Sequence, residues 1–194
     1  MRKIFIWIVT LTVSITVFLI YNHKQPPIEE DVFKFTEKWS SATEDVYLVR
    51  KIDGDWLTIF RNWDSIMMAR LEQNWLGNWE LRNDEGLEST LISTYFPPIE
   101  DDEFTWSASG SKERNRSYYF GQIINPIIKR IEVETKKGFF EDALIVNSVG
   151  AQFFFVNSDY EMLMPVNIRA LSETGELIYS TIKPIKNGEL NSTH

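Results

Sequence analysis

The chain has 194 residues, no cysteine and two histidines, with 20 Lys and Arg against 28 Asp and Glu, a formal charge of −8. Without cysteine there is no disulfide, no thiolate nucleophile and no thiolate metal site. The acidic balance argues against a nucleic-acid partner, which demands a basic footprint.

The first element is an uncharged apolar run over 4–21, IFIWIVTLTVSITVFLIY, preceded by Arg2 and Lys3. Eighteen residues at helical rise cover about 27 Å, close to the thickness of a hydrocarbon core. Ile4 and Phe18 are apolar positions facing lipid, and Trp7 and Tyr21 lie near the two ends, where amphipathic rings prefer the interface. Hydroxyls at Thr10, Thr12, Ser14 and Thr16 can return to the helix backbone. The run is followed by Tyr-Asn-His-Lys-Gln with no Ala-x-Ala, so an uncleaved signal-anchor over 1–21 is expected rather than a cleaved leader. Basic residues before the span outnumber the single Lys24 just after it, which directs the N-terminus to the cytoplasm and the remainder outside the cell.

Setting aside Arg2 and Lys3 leaves 18 basic residues against 28 acidic, a balance of −10 that disfavours electrostatic docking on anionic lipid. The two histidines, His23 and His194, sit beside the span and at the last position. The intervening 170 residues therefore hold none, which removes Ser-His-Asp catalysis and histidine-based zinc sites. No cofactor is expected.

Residues 22–27 read as a linker kept extended by Pro26-Pro27. Glu29, Glu30 and Asp31 favour a helix start. Val32, Phe35 and Trp39 fall on one face of a short helix ending near Ser41. Strand-like runs at 46–52 and 56–61 flank Asp53-Gly54, a strong hairpin signal. Residues 65–74 mix strand alternation with helix propensity and are assigned as a third strand, with a fourth at 79–82 after Gly77. A further strand is expected at 89–96. Pro97-Pro98 and an acidic run over 100–103 mark the end of a helix-plus-meander region (28–98). Beyond it, short strands at 104–108, 117–120, 127–134, 143–147, 152–157, 165–171 and 177–182, separated by turn residues, predict a β-sandwich-like region (99–185) and a disordered tail (186–194). The fold expected is thus mainly β behind an N-terminal transmembrane helix.

Two motifs carry a resemblance. Residues 119–133, YFGQIINPIIKRIEV, and Leu76-Gly77-Asn78-Trp79 resemble a loose group of small, membrane-anchored extracytoplasmic proteins of Gram-positive bacteria, over about 45–182. The chain departs from that pattern at Ile127, where an acidic residue is usual after the proline. It departs again at Glu80-Leu81-Arg82, where a glycine-rich stretch often follows the tryptophan. The resemblance implies location and fold and transfers no catalytic residue. Physically, Gly121 lets a strand bend or a neighbour approach, Pro126 suits the start of a strand, and Ile131 and Val133 face the core.

Candidate chemistry is sparse. Ser109 with Lys112, and Ser180 with Lys183, match Ser-x-x-Lys, but that signature needs a helix to align both side chains. Asp101 and Asp102 are the weak candidates for a metal, in a spacing that does not match an EF-hand, and a solvated acidic loop is the expected reading. Trp63, Trp75 and Trp79 flank turns and are the candidate binding residues, because exposed rings stack on sugars or capture peptide. The functional expectation is a non-enzymatic binding or regulatory module at the membrane, whose partner is an envelope protein or cell-wall ligand. The alternative is a carboxylate-dependent hydrolase acting on cell-wall glycan or peptide.

Overall fold

A computed structural model describes residues 2–82, 85–111, 115–148 and 150–182. The tail expected over 186–194 and both lysines of the Ser-x-x-Lys matches lie outside the described residues.

The chain opens with helix α1 (Arg2–His23), which buries none of its side chains and is long and apolar enough to cross a membrane. Thr10, Thr12 and Thr16 donate to the carbonyls of Ile6, Ile8 and Thr12 at 3.0, 3.0 and 2.9 Å, so their hydroxyls are satisfied within the helix. Helix α2 (Glu29–Thr36) starts where Asp31 Oδ2 accepts the Ile28 N–H at 3.1 Å. It stops at Thr36, short of the expected Ser41. There the Thr36 hydroxyl back-bonds to Val32 O and meets the Thr43 hydroxyl at 2.6 Å, and the chain turns. Trp39 still reaches the core, with its ring 6.0 Å from that of Phe60.

Two compact units divide the chain, 1–97 and 98–194. In the first, β1 (Asp45–Ile52), β2 (Asp55–Arg61), β3 (Ser65–Gln73) and β4 (Trp79–Arg82) form an antiparallel meander. Asp53 and Gly54 both take positive φ, as a two-residue primed turn requires. The ambiguous segment 65–74 is a strand. Strand β5 (Ile92–Tyr95) pairs with Ser65–Met68 while β4 pairs with Arg70–Gln73, so both share one edge of β3. Val32 of α2 and Phe60, Met67, Ala69, Leu71 and Leu81 of the sheet make the core of this unit. Leu57, Ile59, Ile66 and Met68, on the opposite face, are buried as well. Burial on both faces is why β3 lacks a clean polar–apolar alternation.

The second unit holds two four-stranded antiparallel sheets. One runs β10 (Leu144–Ser148), β11 (Ala151–Ser158), β7 (Arg116–Ile123), β6 (Ser107–Ser111); the other runs β13 (Leu177–Ser180), β12 (Ile168–Leu171), β8 (Arg130–Lys136), β9 (Phe139–Asp142). Tyr119, Ile123, Phe154 and Val156 from the first meet Ile131, Val133, Ile168 and Ala170 from the second in one core, a sandwich-like packing. An alanine Cβ at Gly121 would stand 1.8 Å from Thr105 O and 2.5 Å from Phe154 Cε1, so the backbones approach closely there.

Four local expectations change. Strand β8 starts at Arg130, because Asn125 O accepts the Ile128 N–H and Asn125 Oδ1 the Ile127 N–H, placing Pro126 inside a turn rather than at a strand start. Phe104 forms an isolated bridge to Ile123, and the regular strand begins three residues later at Ser107. Pro165 precedes β12 by three residues. Strand β9 was not expected: Phe-Phe-Glu-Asp lacks alternation, yet it pairs with β8 across the Lys137-Gly138 turn.

Candidate functional site

The candidate site lies where α1 leaves its apolar run and meets the first unit. Residues 22–27 were expected to be a linker; Asn22 and His23 instead complete α1, and the segment is tied to the loop between β3 and β4. The Asn22 side-chain amide donates to Leu76 O at 2.8 Å and to Asn78 Oδ1 at 3.2 Å. Gln73 Nε2 donates to Asn22 O at 3.3 Å and to Gly77 O at 3.1 Å. The Trp79 indole N–H donates to Gln25 O at 3.0 Å.

The loop is built to receive the helix. Asn74 Oδ1 accepts the N–H groups of Leu76 and Asn78, both at 3.0 Å, and Gly77 N–H donates to Asn74 O at 2.9 Å. Gly77 has φ of +80°, and a Cβ there would stand 2.9 Å from His23 Nδ1 and 3.0 Å from His23 N. Only glycine meets both conditions without strain. His23 Nδ1 lies 2.8 Å from Leu19 O, which places the proton on that nitrogen.

Beside this junction is a cleft of about 520 Å³ lined by Asn22, Gln25, Pro26, Asp31, Lys34, Phe35, Asn78 and Trp79 among others. Its polar groups are mostly uncharged amides. Asp31 is 3.7 Å from Lys34 and is further engaged by the Ile28 N–H. Among the described residues of the lining Asp31 is the single carboxylate, and the cleft they form offers hydrogen bonds and aromatic surface rather than the two acids of glycoside hydrolysis. Elsewhere, Glu134 accepts from Gly138 N–H at 2.6 Å and Asn167 Nδ2 at 2.7 Å, and these hold its carboxyl below the usual range. That direction is opposite to what a general acid at neutral pH requires.

The three tryptophans fare differently. Trp79 is half-buried, edge-on to Trp56 with centroids 6.0 Å apart. Trp75 is 79% exposed and Trp63 is 64% exposed. Trp63, in the β2–β3 loop, donates to Ser41 Oγ at 3.3 Å. The nine residues of β3 separate Trp63 from Trp75, which at strand rise is about 30 Å. They therefore belong to opposite ends of the sheet; Trp75 lies in the junction loop and Trp79 opens β4 directly after it.

Ile4, Trp7, Phe18 and Tyr21 all project from α1 with at least 60% exposure. Asp102 Oδ2 accepts the Ile99 N–H at 2.7 Å and Glu103 Oε2 accepts from Asn125 Nδ2 at 2.5 Å, so part of the acidic loop holds its own backbone and a neighbouring turn. Among the described residues no three His, Asp or Glu side chains, those of Asp101 and Asp102 included, converge on a common point that could hold a metal. Ser109 and Ser180 lie on strands, and Ser180 Oγ donates to Ile182 O at 2.8 Å.

The residues that build the junction, Asn22, Gln25, Gln73 and Asn74, carry no pattern that singles them out, because amides recur throughout loops. The signals the sequence did carry are Gly77 and Trp79, in the motif Leu76-Gly77-Asn78-Trp79. Searches of protein-family models, curated proteins and solved structures find no match to this chain, so the site is read from its own geometry.

Proposed function

We propose that the protein is a single-pass, non-enzymatic module of the cell membrane, with its N-terminus cytoplasmic and residues 24–194 outside. It binds or regulates another envelope component, a protein segment or a cell-wall ligand, at the cleft beside its anchor. The extracytoplasmic proteins of Gram-positive bacteria that its motifs resemble are its proposed kin.

The observation that carries this reading is the clamp between α1 and the β3–β4 loop. A leader destined for removal has no use for a bonded seat in the mature fold, whereas a permanent anchor clamped at Asn22 and Gln25 holds the cleft in a fixed place at the bilayer surface. Arg2 and Lys3 before the span supply the basic bias for the orientation. Amide groups and the Phe35 and Trp79 rings suit recognition of peptide backbone or sugar hydroxyls.

Two measurements test it. Protease added to intact, wall-stripped cells should remove a C-terminal tag and leave a membrane-bound stub; a tag protected until lysis sinks the orientation. A photocrosslinking residue in place of Phe35, in the full-length protein in cells, should trap a discrete envelope partner that the same residue at Glu173 does not. Identical adduct patterns at both positions would sink the cleft as the binding site.

A further inference from the structure

Loop 74–78 is uncharged throughout, and it is bonded to the chain one residue past the end of the apolar run. Asn22 follows Tyr21 by one helical rise, about 1.5 Å. Leu76 O lies 2.8 Å from the Asn22 amide, and Gly77 packs on His23. If the apolar run fills the hydrocarbon core, the loop backbone lies at the level where that core ends, and the headgroup layer extends roughly 5–7 Å further. Trp75, 79% exposed in the chain alone, is the large side chain that this loop displays. Tyr21, 65% exposed, stands on the helix at the same level. Trp63, at the far end of β3, is flanked by Asn62 and Asp64 and lies far from the apolar run.

We infer that Trp75 is a membrane-interface anchor: its ring enters the headgroup layer of the phospholipid bilayer and, with Tyr21, sets how the first unit is oriented on the membrane. The occupant of this exposed aromatic surface is lipid rather than a protein partner, because the surface is continuous with the bilayer-spanning helix and the loop's own residues carry no charge; the carboxylate beside it, Glu80, is held by Asn74 Nδ2 at 2.7 Å and paired with Arg82. An indole suits the position, with an apolar body for the acyl boundary and an N–H for headgroup or water. The inference rests on the reading of α1 as a bilayer span.

The native absence of cysteine makes the test direct. Single-cysteine variants Trp75→Cys, Trp63→Cys and Val13→Cys of the full chain, each carrying a nitroxide, are reconstituted in phosphatidylcholine–phosphatidylglycerol vesicles. Collision with lipid-soluble oxygen is compared with collision with a water-soluble nickel chelate. The label at 13 should be deep, the label at 63 aqueous, and the label at 75 intermediate, with an oxygen-to-nickel ratio several-fold above that at 63. A deep label at 13 with matching ratios at 75 and 63 overturns the Trp75 inference and leaves the anchor standing. An aqueous label at 13 overturns both. In the unlabelled chain, Trp75→Phe should lower the fraction of tryptophan fluorescence quenched by phospholipid brominated near the headgroup. An unchanged fraction counts against an inserted ring even if the loop itself is near the surface.

Discussion

At the scale of single residues, two glycines do work that no other side chain could do, for different reasons. Gly77 combines a left-handed φ with contact on His23, while Gly121 has ordinary strand geometry and is set by proximity alone. The Thr105 carbonyl and the Phe154 ring close over Gly121, and neither is a flexible side-chain end that could swing away. Gly121→Ala must therefore push β7 from its neighbours inside the sandwich core. We expect a loss of about 3 kcal/mol, at the upper end of overpacking costs. It would be read as a lower urea midpoint with little change in slope. A loss below about 1 kcal/mol would show that the close approach relaxes freely. Gly121 stands out in the sequence as a glycine inside a strand pattern, but the partner crowding it, Thr105, is sixteen residues away and carries no mark.

Among the elements, the junction of α1 with the β3–β4 loop is the one most open to perturbation. Gly77→Ala adds a Cβ at φ of +80° and within 3.0 Å of the His23 backbone nitrogen. Left-handed strain and the contact together should cost about 2 kcal/mol. The effect should be local, because the core of the unit lies on Phe60, Met67 and Leu71 rather than on the loop. Hydrogen exchange of the full chain in nanodiscs would show it: segments 22–27 and 74–79 should exchange faster while β2 and β3 keep their protection. Unchanged exchange in 22–27 would mean the clamp does not hold the anchor. Elements of this kind differ in how legible they are. The hairpin at Asp53-Gly54 was plain, because the turn chemistry is local. Strand β9 was not, because its pairing with β8 is specified by the β8 backbone and not by its own four residues. The start of β8 was misplaced because Asn125 competes for the backbone ahead of Pro126, forming a turn where apolar content alone suggested a strand.

For the whole molecule, each unit owns a core. The second unit draws Tyr119, Phe154, Ile131 and Ile168 from both of its sheets into one cluster, all fully buried. A fragment spanning 98–194 should accordingly fold without the anchor or the meander. It should unfold cooperatively with a urea slope of about 1–2 kcal/mol per molar, ordinary for its size, and be indifferent to reductant. A gradual transition with dye binding typical of a molten globule would show that this core does not close by itself.

Sequence alone determined the properties that depend on local composition and period: a span of the right length and hydropathy, the β-rich character, the hairpin, and the exclusion of cysteine and histidine chemistry. Tertiary structure decided which distant segments meet. It brought Asn22 to Leu76 across 54 residues, put Trp63 and Trp75 at opposite ends of β3, and turned an expected linker into the wall of a cleft. The physical reason is that these contacts are made by backbone carbonyls and generic amides. Such groups are present at almost every position, and only strand pairing and packing select which of them come within bonding distance.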